Sequence, residues 1–150
     1  MNQFYDKISL HDNLVHGISF SSDVGDFSSI VSFDIDHIME WVNCSPEEGE
    51  SIFKVAPAKL KFYDTTDLIL NISWGNSKYS KYSGSSAGFY ILDVIREKVD
   101  SPLKKADYYK WEILTNHDDY IITFGASYMS LDITGAPRLV NRQYLYNNER

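Results

Sequence analysis

Between Ser29 and Val42 the chain alternates with a period of two, which places Val31, Phe33, Ile35, His37, Met39 and Trp41 on one face of an ideal strand. Asp34, Asp36, Ile38 and Glu40 fall on the other face. A helix would scatter both sets around its circumference, so this segment commits the chain to extended structure. At about 3.3 Å per residue it spans roughly 45 Å, longer than most strands, and a bend or bulge is expected within it.

The same alternation recurs along the chain. Leu14, His16, Ile18 and Phe20 share one face of an earlier strand. Leu60 and Phe62 alternate with Lys59, Lys61 and Tyr63, and after Asp64-Thr65-Thr66-Asp67 the series Leu68, Leu70, Ile72, Trp74 begins, which predicts a hairpin. Further strands are expected over Phe89 to Glu97, Tyr108 to Thr115 and Tyr120 to Thr134, the last interrupted at Gly125, with an edge segment over Leu139 to Leu145. Ser45-Pro46-Glu47-Glu48 carries a Ser cap and a Pro at the first helical position, and Ser101-Pro102 repeats that start, so one or two short helices are expected. With 15% aromatic residues and little βαβ patterning, the chain reads as mainly β. The expected fold is a single domain over residues 1–150, an antiparallel meander forming a sandwich or a curled, barrel-like sheet. Phe33, Ile35, Leu60, Phe62, Leu70, Ile72, Ile91, Trp111, Ile113 and Phe124 are its expected core.

The formal charge of −7 argues against general binding to nucleic acid, which depends on Lys and Arg neutralising phosphates. No run of about 18 apolar residues predicts a membrane span. The amino-terminal residues Met1 to Lys7 lack the basic start and apolar run of a secretory signal, and a single cysteine, Cys44, forms no internal disulfide; both point to the cytoplasm. Paired-cysteine zinc sites, a Walker loop, a dinucleotide-binding glycine pattern and a nucleophile elbow are all lacking, so no cofactor or metal is expected.

Charge is unevenly placed. From Asp12 to Glu50 there are nine acids and no Lys or Arg, whereas Ser51 to Lys110 holds ten bases and six acids. Within the acidic third, Asp34 and Asp36 point the same way about 7 Å apart in an extended chain, and Glu40 continues the row. Such a row suits a basic protein surface or a divalent cation, while its bland reading is a solvated face neutralised by Lys59 and Lys61 on a neighbouring strand. Trp41 belongs to the opposite, packed face under the same alternation. Tyr79 and Tyr82, in a Ser- and Gly-rich stretch from Gly75 to Gly88 that ends near Tyr90, have the composition of an adaptable recognition tip, or else fold back over the sheet. His11, His16, His37 and His117 are the residues with proton-transfer chemistry; His37, on the apolar face, reads first as a hydrogen-bonded core residue and His117 as a turn residue.

Leu10-His11-Asp12, Phe33-Asp34-Ile35-Asp36, Glu40-Trp41, Val55-Ala56-Pro57-Ala58 and Leu60-Lys61-Phe62 resemble segments of a bacterial family of small β-rich proteins without an assigned activity, over about the first half of the chain. That family is loosely similar to immunity proteins of toxin systems. The resemblance implies a noncatalytic binder of a protein partner, with no catalytic set to carry over. Two classes follow. One is an acidic protein-binding module that uses Asp34, Asp36, Glu40, Tyr79 and Tyr82, and the other is a small hydrolase or ligand-binding protein that uses His and Asp groups in a cleft. A concave site that gathers a His with two carboxylates favours the second.

Overall fold

The computed structural model describes residues 8–23, 28–43, 49, 51–74, 88–102 and 107–150. Nine strands form one sheet among them: β1 (Asn13–Asp23), β2 (Ser28–Asn43), β3 (Ile52–Tyr63), β4 (Thr66–Asn71), β5 (Phe89–Lys98), β6 (Tyr109–Thr115), β7 (Ile121–Ala126), β8 (Tyr128–Ile133) and β9 (Arg138–Val140). Every pairing is antiparallel. Two meanders, β1-β2-β3 and β5-β6-β7, are joined where β1 pairs β5, and β8 and β9 extend β3 on its far side. The sheet curls without closing. Pro57, which lacks an N–H to donate, sits on β3 between the stretches that pair with β8 and β9, where a ladder bond is not required of it.

The curl is made at a corner. The β3–β8 ladder runs to Tyr63 opposite Tyr128, and the β4–β7 ladder resumes at Thr66 opposite Gly125, so two long strands bend together. Asp64 and Asp67 adopt left-handed backbone conformations, φ 56° and 53°, which Asp tolerates better than most residues. Ser127 N–H donates to Tyr63 O at 2.9 Å, and the Tyr108 hydroxyl donates to Asp64 O at 2.8 Å and lies 2.8 Å from the Thr66 hydroxyl. Gly125 is required there, because a β-carbon would stand 2.8 Å from the Tyr108 ring.

This corner corrects the expected hairpin. Both predicted strands exist, but β4 pairs β7 and not β3, since the turn sends the chain across the fold instead of back along it. Leu70, expected in the core, is 37% exposed on this edge strand, and Ile72 is only partly buried. The rest of the expected core is buried. Phe62 is its hub, with its ring 4.7 Å from Phe124, 5.0 Å from Trp111 and 5.9 Å from Phe33 in edge-to-face contacts. The expected helical turn at Ser45 to Glu48 lies outside the described residues, as does most of the one after Ser101-Pro102. Among the described residues the helical structure is one short 3-10 turn, Asn147–Glu149, and no helix is long and apolar enough to cross a membrane.

Phe62→Ala should lower unfolding stability by about 3–5 kcal/mol, whereas Leu70→Ala should cost no more than about 1 kcal/mol. Urea midpoints of the two variants separate a central from an edge position.

Candidate functional site

β1 and β2 pair with Leu14 opposite Asp36 and Gly17 opposite Asp34, and the register shifts between Val15 and Gly17. The shift is a bulge at His16, a device that re-aims a side chain out of strict alternation. His16 keeps the face that alternation gives it, with Leu14, Asp34 and Asp36 on the outer side, and its Nε2 stands 2.7 Å from Asp36 Oδ2, while the shift turns Ile18 inward opposite Phe33. The chain after β9 crosses this outer face. Leu145 is buried there with Ile38, Phe53 and Val55 in a second, smaller apolar cluster.

The crossing segment brings its own polar partners. The Leu145 N–H donates to Asp36 Oδ2 at 2.8 Å, and Arg150 Nε donates to Asp36 Oδ1 at 2.9 Å. Arg150 also grips Asp34 with both terminal nitrogens, at 2.7 and 3.2 Å, and donates to Ile35 O at 3.3 Å. Asp36 is fully buried. Burial pushes its carboxyl pKa up, but hydrogen bonds from His16, the Leu145 N–H and Arg150 outweigh that and hold it below the ordinary carboxylate value. Burial likewise opposes the charge on Arg150, and its bonds to Asp34 and Asp36 reverse the effect and raise its pKa. Farther along, Gln143 donates to Asp12 at 3.2 Å, and Arg142 pairs with Glu149.

A cleft of about 400 Å³ opens beside this cluster, lined by Leu14, Val15, His16, Trp74, Gly88, Asn147 and Arg150. A second, more apolar hollow of about 230 Å³ shares Val15, His16 and Trp74 with it and adds Gly17, Ile18, Ile72 and Phe89. Trp74 is 60% exposed. His16 therefore has one face on a buried carboxylate and another on open space.

Asp34 and Asp36 share one face as alternation expects, but they do not form the expected open acidic row with Glu40. Asp36 is buried, not presented to solvent, and Asp34 is half-exposed and paired with Arg150. A second bulge between Ile38 and Glu40 turns Glu40 off the row to face Lys54 across the ladder. The same bulge moves Trp41 onto the face of Phe53, whose ring it meets edge-on at 5.0 Å, so Trp41 is not packed in the core and remains 52% exposed. Lys59 stands opposite Asp34 in register, whereas Lys61 pairs with Asp132 at 2.8 Å. Tyr79, Tyr82 and Cys44 lie outside the described residues.

The other histidines stay apart from the cluster. His37 Nδ1 lies 3.1 Å from Asn13 Oδ1, and burial lowers its pKa, as suits a structural histidine. His11 donates to Leu92 O at 2.8 Å, and His117 stacks on Tyr120 at 4.5 Å. Among the described residues no group of three or more His, Cys, Asp or Glu side chains is arranged to hold a metal ion. Sequence reasoning missed Arg150, Leu145 and Gln143. One signal was present: three of the four arginines, Arg138, Arg142 and Arg150, fall in the final 13 residues, the cationic complement of an acidic first third.

Asp36→Ala should destabilise the fold by about 3–5 kcal/mol, because Arg150 and the Leu145 N–H would lose their buried acceptor. A carboxyl whose folded pKa is depressed contributes stability that is complete above its unfolded pKa of about 3.9 and is lost as pH falls through the lower, folded value. Urea midpoints between pH 2 and 7 should accordingly fall less steeply on the acid side in Asp36→Asn than in the parent protein. Compared with family models, curated proteins and solved structures, the chain shows no match.

Proposed function

We propose that the protein binds a small molecule in the cleft beside His16, with Trp74 as an aromatic wall. The observation that supports this most is that an imidazole and a guanidinium line one concave site, each held from behind by a carboxylate, Asp36 on both and Asp34 on Arg150. With Asp36 ionised, His16 donates its Nε2–H to that carboxylate, which fixes the ring. Among the described residues Nδ1 has no hydrogen-bond partner. A fixed imidazole with one nitrogen unbonded among the described residues, beside a partly apolar wall, orients a ligand without rearranging the protein.

The Asp–His pair also has the form of a general base held by a buried carboxylate. The described cleft lining contains no Ser, Thr, Cys or Lys to serve as a nucleophile, so binding is favoured over covalent hydrolysis. A fragment library screened by ligand-observed NMR checks the reading. Hits should weaken about tenfold or more in His16→Ala and in Trp74→Ala, the loss of about 1.4 kcal/mol or more; hits indifferent to both substitutions would remove the cleft from consideration.

A second reading, a noncatalytic protein-binding module of the immunity kind, is favoured by the end of β2. Met39, Trp41 and Val42 are all exposed there beside Glu40. Tryptophan and methionine are enriched at interfaces, and Glu40 would suit a basic partner. Under this reading, Trp41→Ala should abolish capture of a basic protein from the native source while His16→Ala leaves it intact, as judged by pull-down and mass spectrometry.

A further inference from the structure

Resting on the cleft as a binding site, we infer that residues 141–150 are a strap whose docking on β2 and the filling of the cleft by a ligand stabilise each other. Past β9 the chain joins no further strand. The segment bonds to itself instead: Arg142 pairs with Glu149 and lies 4.0 Å over the Tyr146 ring, the Tyr146 N–H donates to Glu149 Oε2 at 2.7 Å, and the Glu149 N–H donates back to Tyr146 O at 2.8 Å. What ties it to β1 and β2 is Gln143 on Asp12, the Leu145 N–H on Asp36, and Arg150 on Asp34, Asp36 and Ile35 O. Leu145 is the one buried residue of the segment. Undocking returns Arg150, Asp34 and Asp36 to water, which recovers much of what separating them costs. A piece bonded within itself and held by one apolar anchor has the makeup of a unit that opens locally, ahead of the sheet beneath it.

The strap also builds part of the cleft. Asn147 and Arg150 line it from the strap, while Leu14, Val15 and His16 line it from β1. Asp36 braces both sides, since it holds His16 of β1 and also the Leu145 N–H and Arg150 of the strap. Undocking therefore removes two lining residues and two of the groups that hold the carboxylate behind His16. A ligand that touches both sides binds the docked strap more tightly than the open one, so it holds the strap down, and by reciprocity whatever loosens the strap weakens the ligand. This linkage follows from which chain segments line the cleft, and it holds whatever charge the ligand carries.

The test follows amide hydrogen exchange by NMR in the full chain, with the tightest His16-dependent hit of the fragment screen as probe. In the free protein the Leu145 amide, whose acceptor lies on β2, should exchange about tenfold or more faster than the amides of central β3. Exchange of Leu145 at the rate of β3 would show that the strap opens only with the whole fold, and would overturn it as a separate unit. With the probe at roughly ten times its Kd, Leu145 exchange should slow about tenfold. A Leu145 rate unchanged by the bound probe would show that the open strap binds equally well, and would overturn the linkage. Gln143→Ala combined with Leu145→Ala removes two ties, neither of which lines the cleft. This variant should free the Tyr146 and Glu149 amides to exchange and weaken the probe about tenfold or more, with circular dichroism confirming the sheet. Undiminished affinity with those amides exchanging freely would sink the linkage, and amides that stay protected would sink the strap; if the variant fails to fold, the comparison in the parent chain decides. A screen without any His16-dependent hit would overturn the cleft and the linkage together, whereas the strap as a unit stands or falls on the Leu145 amide alone.

Discussion

The Asp36 carboxylate, fully buried, ties together three parts of the chain that alternation alone would leave separate. It accepts from His16 on β1, from the Leu145 N–H and from Arg150 in the segment after β9, while its own backbone belongs to β2. Leaving a buried carboxylate without such partners would cost several kcal/mol, so the outer face of β2 is stable only when the crossing segment is docked on it. That docking shelters Leu145, Ile38, Phe53 and Val55 in a second apolar cluster and forms one wall of the cleft. Structure and candidate function thus share one group.

The arrangement also shows how the chain handles its uneven charge. Among the described residues, the acids on and beside β2 have partners within the fold. Asp34 and Asp36 are met by Arg150, Glu40 faces Lys54 across the ladder, and Asp12 accepts from Gln143.

At the opposite end of the fold, curvature comes from backbone chemistry. The corner between β3 and β4 runs beside that between β7 and β8, and it requires two Asp residues at positive φ, a glycine under the Tyr108 ring and the Tyr108 hydroxyl on Asp64 O. Bending both strands at one place folds the sheet over Phe62, Trp111 and Phe124, so the buried ring cluster and the corner depend on each other. The stacked rings of Tyr63 and Tyr128, 4.4 Å apart where the first ladder ends, close the corner on its outer side.

The sequence by itself determined the class of fold and most of the core, because the period of two along β2, β3 and β6 admits only extended structure with one face inward, and Phe33, Ile35, Leu60, Phe62, Trp111 and Ile113 are buried as that pattern requires. It also marked Asp34, Asp36 and His16 as polar groups with chemistry. Only the tertiary structure decided what they do. One inserted residue at His16 and another between Ile38 and Glu40 reversed the facing of the positions that follow, which turned Ile18 inward, away from the face of Leu14 and His16, and exchanged Glu40 for Trp41. Strand length and an isolated Gly17 hint at a bulge without fixing its position, and the meeting of Asp36 with Arg150 spans 114 positions, beyond any local pattern. The partner of β4 was hidden for the same reason, since a turn sequence specifies that the chain changes direction, while the strand it then meets is chosen by burial of the whole core.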